Sequence, residues 1–446
     1  MDSQKIVEKL KGPVSRAGSP EFEVFVSREI HGSVEVKDQE IHSFESAETL
    51  GASLRLIQDH KMGFAYTTDL SDSGLNKLFE TALATSRYSD SSEFLSLPQD
   101  GPAPRLDFQD CDSSFLSLPQ AKKIDMALRL EKAALSFHPK IKRVRGASYE
   151  GNLSEVSLTN SWGLHRHHQN TMNVLSLMAV AEEGEEAEMA FEFEFSPFFA
   201  DLNPEAVGLR AAKKAFGYLG SQLGPTFKGP VVLEPLVAAE ILDVLAPSFY
   251  ADHRVKKCSL FDAGPGETIL SPHLNLIDDG TLKGGFASFP FDGEGVPRRR
   301  LLLVKEGILQ QVLADTHYGA RLKAHSTGSS SREGIKRPPE IGHSNFYILP
   351  GTLPLQEILK KIHRGIFMTE LIGIHTANPI SGDFSVGAQG FLIEKGEITT
   401  PLKQMALSGN LKTMLNCVAA VASDLRFYFK VGSPSLLISE MDVAGQ

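Results

Sequence analysis

One stretch, residues 140–196, constrains the fold more than any other part of the chain. IKRVRGASYEGNLSEVSLTNSWGLHRHHQNTMNVLSLMAVAEEGEEAEMAFEFEFS returns apolar residues to alternate positions over long runs. A two-residue period sends successive side chains to opposite faces of a strand, so this stretch predicts a sheet with one covered face. Gly146, Gly151 and Gly163 predict turns within it, and EEGEE at 182–186 predicts an acidic hairpin tip. The same period appears near the amino terminus. Phe22, Val24 and Val26 alternate with polar residues, as do Val34 and Val36, and His31-Gly32 is the expected turn between them. A third strand is expected over Gly51–Gln58, turning at DHKMG into GFAYTT.

Helices are expected around these strands rather than between each pair of them. Residues 2–12 and 121–137 carry apolar side chains at helical spacing. Residues 71–87 read as a helix capped by Ser71 or Asp72, and 204–219 as one that opens on Pro204. After Gly229, GPVVLEPLVAAEILDVLAPSF predicts a strand and then an apolar helix ending at Pro247. Hairpins are expected at 301–313 and 391–399, and helices in LPLQEILKKIHRG and NLKTMLNCVAAVASDL, with Cys417 as a small core residue inside the latter. Elements grouped in this way favour an α+β fold. The expectation is an antiparallel-sheet amino-terminal region with flanking helices, followed by a larger mixed, β-rich carboxy-terminal domain. Residues 88–106, rich in Ser, Pro and Asp, read as a linker. The expected division is 1–90, 105–222 and 226–446, since 446 residues exceed one ordinary core.

Charge and cysteine usage exclude some classes of function. The chain has 45 basic and 55 acidic residues, a net of −10, which disfavours general nucleic-acid binding. RVRG at 143–146 and PRRR at 297–300 read as solvated strand ends. Cys111, Cys258 and Cys417 are sparse and widely spaced, which points to a reducing compartment and a cytoplasmic location. The charged start MDSQKIVEKLKG does not suit a signal peptide, and no run reaches the ~18 apolar residues of a membrane span.

Several motifs raise chemistry, and each also has a structural reading. HRHH at 165–168 places His165 and His167 on one side of a strand, too few ligands for a catalytic zinc, so it reads as an exposed polar strand. The acids at 182–188 lack calcium-loop spacing. No GxSxG occurs, and neither GPGET at 264–268 nor Gly284-Gly285 fits a phosphate loop. Asp292 and Glu294 in FDGEG form a carboxylate pair that could do acid–base work, but nearby Arg298–Arg300 favour a structural role.

In order, DDGTLKGGFASFPFDGEGVPRRRLLLVKEGILQQVL (278–313), STG (326–328), HSNFYILPG (343–351), GIHTANPISGDFSVGAQGFLIEKGEI (373–398) and SGNL (408–411) resemble the TldD/PmbA family. VEVKDQEIHSFESAETLGASLRLI (34–57) and TNSWGL (159–164) extend the resemblance over nearly the whole chain. It implies a cytoplasmic peptidase system of two related subunit types. One type holds zinc on an HExxxH helix just after the VVLEP strand and uses a cysteine near its carboxyl terminus. Here the helix reads VAAEILDVLAPSFYADH, with no histidine from Gln169 to Asp252, and the terminal region SDLRFYFKVGSPS has no cysteine. The chain therefore resembles the TldE (PmbA) branch.

The resemblance implies no metal bound by this chain, zinc on a TldD-like partner in a heterodimer, and an extended peptide substrate paired to a sheet edge. A homodimer that binds peptide or protein without catalysis is the alternative. No catalytic or metal residue is expected in the chain itself. The expected cleft or interface residues are Asp292, Glu294, His375, Thr376, Asn378, Asp383 and Ser385. Pro379 and Gly382 turn the HTANPISGDF loop after a strand at Ile374, and Asn378 and Asp383 lock it through backbone bonds.

Overall fold

The computed structural model describes residues 3–18, 20–99 and 108–445. Helix α1 (Ser3–Arg16) precedes strands β1 (Glu21–Lys37), β2 (Glu40–Gln58) and β3 (Lys61–Thr67), and helix α2 (Asp72–Ser86) follows them. Helix α3 (Gln120–Leu135) then leads into β4 (Ile141–Asn160), β5 (His165–Glu183) and β6 (Glu186–Ser196), and helix α4 (Pro204–Gly217) closes this half. The six strands form one antiparallel half-barrel sheet in the order β3-β2-β1-β4-β5-β6. The sheet is thus continuous across the 90–105 boundary expected from composition, because β1 pairs with β4 over its full central length.

The alternation in the sequence has its physical cause in two covered patches on this sheet. Helices α1 and α2 bury Ile6, Leu10, Leu75 and Phe79 against Val24, Leu54 and Leu56. Helices α3 and α4 bury Leu130, Val207 and Ala211 against Tyr149, Leu175 and Leu177. Ser71 caps α2 by accepting from the Gly74 N–H, and Asn203 caps α4 ahead of Pro204.

Three turns differ from expectation. His31-Gly32 does not turn; both residues stay in β1, paired to Ala47 and Ser46. The reversal comes at Asp38-Gln39, both with positive φ. Glu131 of α3 holds that turn, its carboxylate accepting from the N–H of Asp38 at 2.8 Å and of Gln39 at 2.7 Å. Gly146 and Gly151 also lie inside a strand: Gly146 sits at a bulge, and Gly151 lies where a Cβ would come 2.5 Å from the Tyr149 hydroxyl.

The carboxy-terminal half is built on a seven-stranded sheet. Its order is Val418–Val421, Leu436–Ala444, Phe227–Leu233, Arg364–Ile372, Asp383–Glu394, Glu397–Asn410 and Gln222–Leu223. Leu436–Ala444 also pairs with Glu397–Asn410, so the sheet closes as a barrel. A second sheet runs Ile308–Leu309, Arg300–Lys305, Leu276–Asp279, Phe346–Ile348, Val431–Ser433 and Arg426–Tyr428. Helix α5 (Pro235–Leu245) sits in the core between the two sheets, against Leu276, Leu303, Phe346, Ile366 and Met368.

Local differences from expectation here share one cause, apolar runs that a sheet captures. NLKTMLNCVAAVASDL is helical only over Leu411–Asn416, and Val418–Val421 is a strand on Leu436–Ala444. Cys417 is therefore a helix cap, partly exposed, and not a core residue within a helix. LPLQEILKKIHRG is helical only over Leu355–Leu359, since Arg364 already begins a strand. Among the described residues no helix is long and apolar enough to cross a membrane.

Candidate functional site

Two of the expected residues, Asp292 and Glu294, lie where the half-barrel meets the carboxy-terminal half. Glu294 accepts from Arg55 Nη1 at 2.8 Å and from the N–H and hydroxyl of Thr316 at 2.9 and 2.7 Å. Arg55 Nη2 donates to Glu23 at 2.9 Å, and Arg332 reaches the same Glu23 carboxylate. Asp292 accepts from the N–H groups of Glu294 and Val296 at one oxygen and of Ser330 at the other, all at 2.9 Å. Burial and the neighbouring Glu294 push the carboxyls of Asp292 and Asp315 up to about 7. Burial also acts on Glu294, but Arg55 outweighs it and holds Glu294 below the ordinary range. These carboxylates are saturated by backbone and arginine donors, so the pair acts as a strut across the join.

His375, Thr376 and Asn378 lie elsewhere, on an exposed loop, and Asp383 and Ser385 are exposed at the start of the strand Asp383–Glu394 that follows it. Ile374–Thr376 is a single 3-10 turn and not a strand, because Gly373 enters it with φ +91. Asn378 Oδ1 accepts from the N–H groups of Ile380 and Ser381. Asp383 differs from expectation: its carboxylate accepts from the Asn410 side chain at 2.9 Å. The loop lines none of the cavities described here and does not meet Asp292 or Glu294 in one site.

The HRHH strand is less exposed than expected. Arg166 is buried and donates to the Gly295 carbonyl at 3.2 Å, and His168 pairs with Asp110 at 2.9 Å. Its partners come from the Gly295 loop and from Asp110, both distant in sequence.

One cavity lies over helix α5, where β6, the strand Arg364–Ile372 and the hairpin through Tyr428–Phe429 converge. It has a volume of about 420 Å³. Met189, Phe191 and Phe193 alternate along β6 and wall one side, with Tyr428 and Phe429 beside them. Glu192, Glu240, Glu370 and Lys214 supply its charge. Lys214 donates to Glu234 at 3.2 Å, and Arg426 holds Glu192. Burial, followed by the charge of Glu370, pushes the Glu240 carboxyl up to about 7; burial raises Glu370 as well. Adjacent strand residues normally point to opposite faces, yet Thr369 and Glu370 both line this cavity. A bulge between Met368 and Glu370 accounts for it. Glu370, Lys214 and the aromatic wall were not legible as a site from sequence, since they come from separate elements.

Three family models match the chain in order: PmbA/TldA metallopeptidase domain 1 over residues 22–86, the central domain over 113–218 and the C-terminal domain over 226–445. The chain belongs to the PmbA/TldD metallopeptidase family. Its sequence carries no HExxxH. It is 29% identical to the metalloprotease PmbA of Escherichia coli O157:H7, over 95% of this chain and 92% of that one. Its fold is similar to a protein of Thermotoga maritima described as a candidate modulator of a DNA gyrase, with TM-score 0.89, 26% identity and coverage of 99% and 100%. It is also similar in fold to TldE from Thermococcus kodakarensis, with TM-score 0.88, 22% identity and coverage of 98% and 100%.

The family name implies a metal, and the donor set on α5 can be tested for it. Leu242 and Leu245 are 2% and 1% exposed, packed into the core. Each contributes about 2 kcal/mol of burial and offers no ligand atom. Asp243 Oδ1 lies 3.5 Å from His343 Nε2, and Tyr250 shares a 2.7 Å hydrogen bond with the other ring nitrogen. Burial, with Lys430 and Arg298 nearby, lowers His343 to about 3, so the ring is neutral. That is two donors where a zinc site needs three or four. Among the described residues no group of three His, Cys, Asp or Glu side chains could hold a metal. The residues of this PmbA/TldD chain do not fit zinc at α5.

Proposed function

We propose that this chain is the non-zinc, TldE-type subunit of a TldD/TldE-like metallopeptidase that cleaves small unfolded or modified peptides. In this reading a TldD-like partner carries the zinc, and this chain shapes the substrate chamber and binds no metal of its own. The observation that carries it is α5: the helix that would grip a metal is filled with aliphatic side chains, while an open, charged cavity persists above it. A chain kept only as scaffold has no folding reason to hold the half-buried Glu240 without a hydrogen-bond partner on such a helix.

The test is reconstitution. The purified chain is expected to carry no stoichiometric zinc and to cleave no unfolded peptide. Mixed with a TldD-like chain it is expected to co-elute as one species on sizing and to raise that chain's cleavage rate. About one zinc per isolated chain, or full activity of the TldD-like chain without this one, overturns the assignment.

A further inference from the structure

The cavity over α5 has the chemistry of a cation site with an apolar throat. Its charged lining is unequal. Lys214 is engaged by Glu234, and Glu192 by Arg426. Glu240 and Glu370, on a helix and on a bulged strand, have neither a hydrogen-bond nor an ion-pair partner among the described residues. Lys214 is the nearby positive charge for both and is already paired with Glu234, so the two carboxylates leave the 420 Å³ space with an excess of negative charge. The opposite wall is aromatic. Phe193 stacks on Phe429 at 4.6 Å, and Phe429 is held at φ +54, a conformation that bulky residues rarely adopt. Phe191 and Phe429 stay 47% and 39% exposed, so part of each ring is accessible to a ligand.

Each ligand class can be weighed against this lining. An anion would meet Glu192, Glu240 and Glu370 with only Lys214, already paired with Glu234, to offset them. A purely apolar group would bury those carboxylates with nothing to offset their lost hydration. A bare divalent cation would need several oxygens at once, and the described residues form no such group. A protonated amine or guanidinium on an apolar stem satisfies both walls. Its charge pairs with the carboxylates and its stem and π-facing edge lie on the aromatics.

We propose that this cavity binds a cationic side chain, lysine or arginine, presented by an extended peptide. That the cation arrives on a peptide rests on the proposed function; that the cavity takes a cation does not.

The experiment uses the full chain without a partner, so it reads out even if reconstitution with a TldD-like chain fails. Calorimetry is run with an acetylated, amidated Gly/Ser-rich peptide bearing one central lysine, with its norleucine and glutamate counterparts, and with n-butylammonium. The lysine peptide is expected to bind at least about tenfold tighter than the norleucine peptide, and the glutamate peptide not measurably. The Glu240→Gln/Glu370→Gln variant keeps shape and removes charge, and is expected to lose that preference while unfolding at no lower denaturant. Phe429→Ala is expected to weaken the lysine peptide severalfold. Equal binding of lysine and norleucine peptides, no binding of either, or an unchanged preference in the double variant overturns the proposal. Butylammonium binding as tightly as the lysine peptide overturns the peptide source and makes the ligand a free amine.

Discussion

Glu240 gives a prediction whose sign and size both follow from the structure. Its carboxyl is pushed up from 4.5 to about 7, first by burial and then by Glu370, with Lys214 and Glu234 acting in opposite senses nearby. Below pH 4.5 the carboxyl is protonated in both folded and unfolded chains, so it costs nothing. As pH rises, the unfolded chain releases the proton first and the folded chain holds it, so stability falls until about pH 7 and then levels. Each pKa unit is about 1.4 kcal/mol, which sets a ceiling near 3 kcal/mol; partial solvent contact brings the expectation to roughly 1.5 kcal/mol. Glu240→Gln stays neutral at every pH. Urea unfolding of both proteins at pH 3.5, 6 and 8 should show almost no difference at the lowest pH and a gap that opens in favour of the variant by pH 8. The buried carboxyls of Asp278, Asp292 and Asp315 titrate in both proteins and cancel from the comparison. A gap that is constant with pH, or one favouring the glutamate at pH 8, refutes the reasoning.

Arg55→Met leaves Glu294 buried without its arginine, and is expected to cost about 3–5 kcal/mol in denaturant unfolding near neutral pH, less in acid where Glu294 takes up a proton. Gly307 has φ +77, and a Cβ there would come 2.2 Å from the Leu270 carbonyl oxygen, so Gly307→Ala should lower the melting temperature clearly while a surface alanine elsewhere would not. Asn410→Ala removes both the cap at Lys412 N and the ties to Ser381 and Asp383; it should cost about 1 kcal/mol, with faster hydrogen exchange confined to the 378–383 loop. His375→Ala, on the exposed face of that loop, should stay within about 0.5 kcal/mol of the parent on unfolding.

The parts of the fold that the sequence made legible are those fixed by local rules. Alternation announced the half-barrel strands, Ser71 and Pro204 marked helix starts, and EEGEE marked a hairpin tip. These signals act over a few residues, so they survive without knowledge of neighbours. The His31-Gly32 turn fails because the real reversal at Asp38-Gln39 depends on Glu131, 92 and 93 positions away. The 411–421 segment fails because VAAV suits either helix or strand, and an open edge of Leu436–Ala444 decides it. Arg55 and Glu294 are 239 positions apart, so nothing local could join them. The cavity over α5 depends on a bulge that turns Thr369 and Glu370 toward one space, and a bulge has no reliable signature in one sequence.

The carboxylates over α5 also separate two accounts of a chain that lacks ligating residues. If the cavity were a remnant, substitution would remove its strain freely. Neutral side chains at Glu240 and Glu370 would stabilise the fold, and a salt bridge to a new lysine would do the same. The strut at Arg55 shows how this chain treats carboxylates that serve structure: each is met by an arginine or by backbone donors. Glu240 is half-buried with no hydrogen-bond partner among the described residues and only the already paired Lys214 nearby, at a cost that rises with pH, and Glu370 adds a second negative charge beside it. Stability forgone at one place, beside aromatics held open to solvent, is the pattern of a site that takes its missing counter-charge from a ligand. The two measurements then bear on each other. A variant that gains stability and loses the lysine preference supports that account, and one that gains stability while keeping the preference defeats it.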